Sequence, residues 1–258
     1  MIIQKDGATL FIDDRGATIS RFQIGSVDVI YPLQMRKAGD NVKLRGGVPI
    51  PFPWFGPWEG HLQHGFLREI PLMPEPEYNK GTCAYRLDWE AINPILPEDF
   101  GYPEKIRMGA QFSVDEGMLA QQIVVHPGPC DPDAPFNAGF HPYFCMPGRE
   151  AVVRVGRKEV VVSQGNFKLG HHIQIDGPMV NTTVHIKGLG TLTLHAYGLL
   201  GRSEAKTLIW TDDLDYLCVE PVLDDVTLFG TKEGFKLGDL SKTRLNAMGY
   251  TCKVELEN

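Results

Sequence analysis

Apolar and polar positions alternate with period two over much of this chain, and no stretch carries a convincing helical stripe over three turns. The clearest case is 106–114. Ile106, Met108, Ala110, Phe112 and Val114 fall on one side, and Arg107, Gly109, Gln111 and Ser113 on the other. Successive side chains of a strand point to opposite faces, so this pattern predicts a strand with one buried face. Asp115-Glu116-Gly117 supplies a turn and 118–126 returns, which predicts a hairpin. The same reading gives a strand at 9–13, a hairpin of 19–24 with 27–31 around Gly25-Ser26, and a strand at 84–91 with Tyr85, Leu87 and Trp89 on one face. Further short strands rich in β-branched and aromatic residues are expected at 136–145, 152–155, 160–162, 184–186, 191–197, 207–210, 216–219 and 250–256. Proline-rich 93–103 and 127–135 read as loops. Many short strands at such spacing indicate an all-β fold, a sandwich or a large pair of antiparallel sheets, in one domain over 1–258.

The segment 45–68, RGGVPIPFPWFGPWEGHLQHGFLR, breaks the pattern. Pro49, Pro51 and Pro53 at alternate positions exclude a helix and suit only an edge strand or an extended crossing. Trp54, Phe55, Trp58 and Phe66 add flat apolar faces to this glycine-rich stretch. A rigid loop with aromatic platforms and cationic or titratable tips reads as the wall of a small-molecule site.

Composition narrows the classes. At 258 residues, with 43% hydrophobic and 22% charged residues, the chain can bury a large core without staples. A net charge of -7 with no basic block argues against nucleic acid. The five cysteines are odd in number, scattered and never in a C-x-x-C pair, which fits reduced thiols. No apolar run is long enough to cross a membrane, and the opening MIIQKDGATLFIDD lacks the apolar core of a signal peptide, so a soluble cytoplasmic protein is expected, monomeric or a weak homodimer.

Three titratable residues stand in unusual settings: His64 in QHGFLR, His141 in GFHPYF and Glu220 in LCVEPVLDD. Each is expected where a strand gives way to a loop and a side chain can enter a cleft. A carboxylate among apolar groups has a raised pKa suited to a general base, and histidine titrates near neutrality, so the three make an acid/base set. Trp54, Phe55 and Trp58 are candidates to stack on a flat-faced ligand, and Trp210 and Asp212 in LIWTDDLD to line the same cleft. No metal is expected: Glu59, His61 and His64, or His171-His172, lack a helical H-E-x-x-H spacing and a further ligand. Gly46-Gly47 is followed by prolines rather than a helix, so it is no phosphate cradle, and no G-x-S-x-G elbow occurs.

With these residues in view, the chain resembles the aldose 1-epimerases (galactose mutarotases), including the glucose-6-phosphate 1-epimerase branch. The resemblance rests on Arg45-Gly46-Gly47-Val48-Pro49 with Phe52-Pro53-Trp54-Phe55-Gly56, on Gln63-His64-Gly65-Phe66 with Arg68, on His141-Pro142-Tyr143-Phe144, and on Cys218-Val219-Glu220-Pro221. It implies a β-supersandwich and a cofactor-independent interconversion of the α and β anomers of an aldose or hexose 6-phosphate. On that resemblance Glu220 is the base toward the anomeric hydroxyl, His141 the acid toward the ring oxygen, and His64 an orienting group. Arg45, Arg68, Trp54, Gln63 and Asp212 would contact the sugar or sugar phosphate, and guanidinium suits phosphate through paired hydrogen bonds. The alternative is a carbohydrate-binding protein of the same fold that does no chemistry.

Overall fold

The computed structural model describes residues 1–38, 41–58, 60–75, 81–87, 107–126, 138–177, 179–198, 206–222 and 246–257. Among them the elements are strands plus one short 3-10 helix, η1 (Leu67–Glu69). The amino-terminal strands are β1 (Ile2–Lys5), β2 (Ala8–Asp13), β3 (Thr18–Ile24), β4 (Val27–Ile30), β5 (Gln34–Ala38) and β6 (Asn41–Arg45). The middle holds β7 (Met73–Glu75), β8 (Thr82–Leu87), β9 (Arg107–Asp115), β10 (Met118–His126), β11 (Tyr143–Cys145), β12 (Ala151–Val155) and β13 (Lys158–Val162). Then follow β14 (His172–Ile175), β15 (Thr182–Ile186), β16 (Gly190–Tyr197), β17 (Lys206–Trp210), β18 (Tyr216–Val222) and β19 (Asn246–Leu256).

They build an eight-stranded sheet ordered β1-β2-β3-β4-β11-β18-β17-β14, a nine-stranded sheet ordered β13-β12-β15-β16-β19-β10-β9-β8-β7, and a ribbon of β5 and β6. Each strand pairing within them is antiparallel. One continuous apolar cluster joins Leu10, Ile12 and Phe22 of the first sheet with Phe112, Ile123 and Leu192 of the second, so the core lies between the sheets. This is the all-β pair of large antiparallel sheets expected from the alternation.

The period-two segments fold as they read. β9 turns Met108, Ala110, Phe112 and Val114 into the core and pairs with β10 as a hairpin, and β3 pairs with β4 in the same way. Ile106, Trp89 and the loops expected at 93–103 and 127–135 lie outside the described residues. Four strands are additions to that reading: β1, β5, β6 and β14 are short or largely exposed, with little apolar periodicity to mark them. A fifth addition, β7 at 73–75, lies on the sheet edge, where Pro74 is tolerated. The 136–145 strand shrinks to β11, because residues 139–141 are extended but held by other partners.

Those partners explain the prolines. The carbonyls of Gly47, Pro49 and Pro51 accept hydrogen bonds from the backbone N–H groups of Tyr143 (3.0 Å), His141 (3.1 Å) and Gly139 (3.2 Å). Alternate residues of an extended segment aim their carbonyls the same way, so proline at 49 and 51 still provides the acceptors, and each gives up only an N–H on that same edge. On its opposite edge, Phe140 donates to the Pro221 carbonyl at 3.2 Å, and Gly139 bridges Val222. The 139–141 segment is thereby clamped between the 45–68 loop and the end of β18, which carries Glu220.

Candidate active site

The site sits on the outward face of β18. Leu217 and Val219 point into the main core, whereas Tyr216, Cys218 and Glu220 share the other face, yet every residue of this strand is buried. Glu220 was expected at a strand end. It is instead inside the strand, opposite Leu208 of β17, since the proline that follows it costs no ladder bond that the sheet needs there.

Across from β18, β11 places Tyr143 opposite Cys218, and two residues earlier His141 lies almost parallel to the Tyr143 ring, centroids 4.7 Å apart and planes 7° apart. Phe55 stacks on the same imidazole at 6.0 Å and 14°, and Trp210 meets it edge-on at 5.9 Å. Gly139 makes room for this arrangement, because a Cβ there would meet the Phe55 ring at 2.5 Å and the Pro221 carbonyl at 2.8 Å. His141 Nε2 is left 3.5 Å from Glu220 Oε1.

Both members of this pair are nearly shut off from water, at 7% and 1% exposure, and among the described residues neither Glu220 oxygen nor His141 Nδ1 has a hydrogen-bond partner. Burial penalises charge. It pushes the Glu220 carboxyl well above its ordinary range, and burial together with the Arg45 charge pulls His141 down to about 3. Burial thus favours the uncharged form of each, a protonated carboxyl beside a neutral imidazole. An unpaired buried carboxyl is costly, and a folded chain that keeps one has an unfilled use for it.

His64 comes from the loop. Its backbone is left-handed at φ 65°, its N–H donates to the Gly56 carbonyl at 2.8 Å, and its Nδ1 accepts from the Gly56 N–H at 3.1 Å. An accepting Nδ1 puts the proton of the neutral ring on Nε2, which makes that atom a donor. Burial, with the charges of His141, Arg68 and Arg45, holds the ring neutral. It meets His141 edge-on at 5.3 Å. Gly65 beside it has φ 73°, and a Cβ there would lie 2.0 Å from the Phe52 carbonyl, so the loop closes over itself only with glycine.

The two arginines differ. Arg45, at the end of β6, gives Asp212 two hydrogen bonds, 2.7 Å from Nη2 and 3.2 Å from Nε, and lies over the Trp210 ring at 5.3 Å. Burial opposes its charge, but the bond to Asp212 holds its pKa above the ordinary range. Tyr216 also donates to Asp212, and Arg36 of β5 ties Asp213 and Asp215 at 3.1 and 3.0 Å, so the ribbon fixes the whole Asp-rich turn. Among the described residues Arg68 has a loose contact with Glu69 at 3.6 Å and its buried Nε makes no hydrogen bond; burial lowers its pKa.

Of the residues singled out from the sequence, the fold thus brings together Glu220, His141, His64, Arg45, Asp212 and Trp210. Trp54 is packed in the main core, donating to the Leu62 carbonyl at 3.0 Å, and acts as an anchor of the loop. Gln63 is exposed, as are His171 and His172, and Glu59 lies outside the described residues. Tyr143, Tyr216 and Cys218 were missing from the site reading. For Tyr216 and Cys218 the signal was the alternation Tyr216-Cys218-Glu220, which puts them on the Glu220 face, and for Tyr143 its two-residue spacing from His141.

No protein-family model matches the chain. A "Putative glucose-6-phosphate 1-epimerase" of Salmonella typhimurium is 30% identical over 112 residues, 40% of this chain and 38% of that protein. The chain therefore matches little more than a third of that relative's length. In fold it is similar to a galactose mutarotase related enzyme from Lactobacillus acidophilus, with a TM-score of 0.67 and 15% identity over 99% of this chain and 97% of the other. A galactose 1-epimerase from Lactobacillus acidophilus NCFM gives a TM-score of 0.64 at 12% identity, over 100% and 94%. Among the described residues no helix is long and apolar enough to cross a membrane.

Proposed function

We propose that this chain, which resembles the aldose 1-epimerases in sequence and fold alike, is a cofactor-independent mutarotase acting as one domain on a hexose 6-phosphate. The observation that carries the reading is the buried pair of Glu220 and His141, 3.5 Å apart, with three polar atoms unpartnered. Sugar hydroxyls entering the site supply the hydrogen bonds it lacks, which favours moving the pair's proton from the carboxyl to the imidazole. Glu220 then takes the proton of the anomeric hydroxyl while His141 gives its own to the ring oxygen, and the hemiacetal opens. Rotation about the first carbon–carbon bond and reclosure with the roles exchanged return both protons, so no net proton is consumed. His64 donates from Nε2 to the ring oxygen or a neighbouring hydroxyl.

Phosphate is favoured over a free sugar by Arg68. Arg45 is already neutralised by Asp212, whereas the buried Arg68 Nε lies 3.6 Å from Glu69 without a hydrogen bond, and a phosphate oxygen satisfies it. The test is anomer exchange by NMR on α-glucose 6-phosphate and on α-glucose. Acceleration well above buffer, larger for the phosphate, is expected. Saturable binding without acceleration would instead make the chain a carbohydrate-binding module.

A further inference from the structure

Cys218 shares the site face of β18 with Glu220 and takes no part in the proton transfers. Its Sγ, an imidazole nitrogen of His141 and a carboxylate oxygen of Glu220 all lie within 4.8 Å of one another, and all three residues are buried. Among the described residues, both Glu220 oxygens and His141 Nδ1 are without hydrogen-bond partners, so their lone pairs are left for a ligand to use. Around a tetrahedral zinc ion, with bonds of about 2.0–2.3 Å, neighbouring ligand atoms sit roughly 3.3–3.8 Å apart, so the three need to draw in by about 1 Å.

Donor type selects the ion. One sulfur, one nitrogen and one oxygen suit a borderline-soft cation, whereas magnesium and calcium take oxygen sets. Charge also closes: a dication with one thiolate and one carboxylate is a neutral centre, suited to the dry surroundings of Tyr143, Trp210 and Phe55. The nearby Arg45 charge is already matched by Asp212 at 2.7 Å.

We infer that His141, Cys218 and Glu220 form a three-ligand site for a divalent cation of the zinc class, with its fourth position open. Binding leaves the metal's oxidation state unchanged and releases the thiol and carboxyl protons to buffer. Occupancy ties up the acid/base pair, so the ion and a sugar exclude each other; this last consequence alone rests on the mutarotase reading.

Titration of the full chain with Co²⁺ tests it. A thiolate-to-cobalt charge-transfer band is expected, bleached by Zn²⁺, absent in Cys218→Ala and retained in Cys145→Ala, whose thiol is partly exposed on the same sheet. Zinc affinity should fall more than about 10-fold in Cys218→Ala, since even residues that merely support a ligand cost that much. Should that variant fold poorly, Cys218→Ser keeps the side chain's size and must also lose the band. Lack of a band in the wild type, or its survival in either Cys218 variant, overturns the site. A band unmoved by saturating glucose 6-phosphate overturns the exclusion and leaves the metal site standing.

Discussion

Strands β16 and β18 lie in different sheets, and their outward faces could hardly differ more. β16 alternates buried and half-buried residues along its length, with Thr191, Thr193, His195 and Tyr197 outward, whereas all of β18 is buried. The outer surface beside Tyr197 does hold a cavity of about 400 Å³, lined by Thr82, Gln111, Ser113 and Gln122 among others, but by no carboxylate or imidazole. Antiparallel sheets ordinarily keep one face wet. A strand that alternates apolar with titratable residues and is nonetheless dry on both faces, as at Tyr216-Cys218-Glu220, marks where the 45–68 loop and the 139–141 segment have been folded over the sheet. The cover is what shifts the pKa values, and the proposed acid/base chemistry draws on those shifts.

The largest expected effect follows directly. Glu220→Gln and His141→Asn should each slow anomer exchange on glucose 6-phosphate by about 10²–10⁴-fold, the usual range for one positioned acid or base. His195→Asn on the wet face of β16 should leave the rate as it is. Equal rates in Glu220→Gln and wild type would remove β18 from the chemistry and erase the contrast between the two strands.

A smaller effect separates the two arginines. Arg68→Met should lower kcat/KM on glucose 6-phosphate by about 10–100-fold, because a hydrogen bond to a charged group contributes about 1.5–3 kcal/mol. Free glucose should be turned over within about twofold of wild type. Parallel losses on both substrates would mean that Arg68 organises the loop rather than gripping phosphate. Arg45→Met is expected to lose on both, since it strands Asp212 and loosens the turn that holds Trp210.

Much of this was legible in the sequence because strand alternation and proline spacing are local. The β9–β10 hairpin and the extended run Pro49, Pro51, Pro53 follow from chemistry within a few residues. The short exposed ribbon of β5 and β6 was not, since its residues bury almost nothing and its role, sending Arg36 and Arg45 to an Asp-rich turn some 170 residues away, is long-range. Trp54 misled for a related reason. Its indole looks like a sugar platform in a list of loop aromatics, and only the fold reveals that Leu62 and the core claim it. Glu220 was recognised as special but placed at a strand end, because Pro221 reads locally as a break.

The last contrast is one of stability and pH. In the unfolded chain a glutamate ionises near pH 4.3, whereas burial keeps the folded Glu220 protonated well above that. Between those values the unfolded state holds fewer protons than the folded one, so stability falls as pH rises. Glu220→Gln cannot ionise and is spared this loss. Its advantage over wild type should be near zero at about pH 4 and grow by at most about 1.4 kcal/mol per pH unit above it, read as the urea midpoint at each pH. His141, held down to about 3, acts with the opposite sign: its contribution is lost as pH falls from about 6.5 toward 3, equally in both proteins, and so drops out of the difference. A gap that stays flat with pH would show that Glu220 is already ionised in the fold against a charged His141, and the resting proton would then belong to the imidazole.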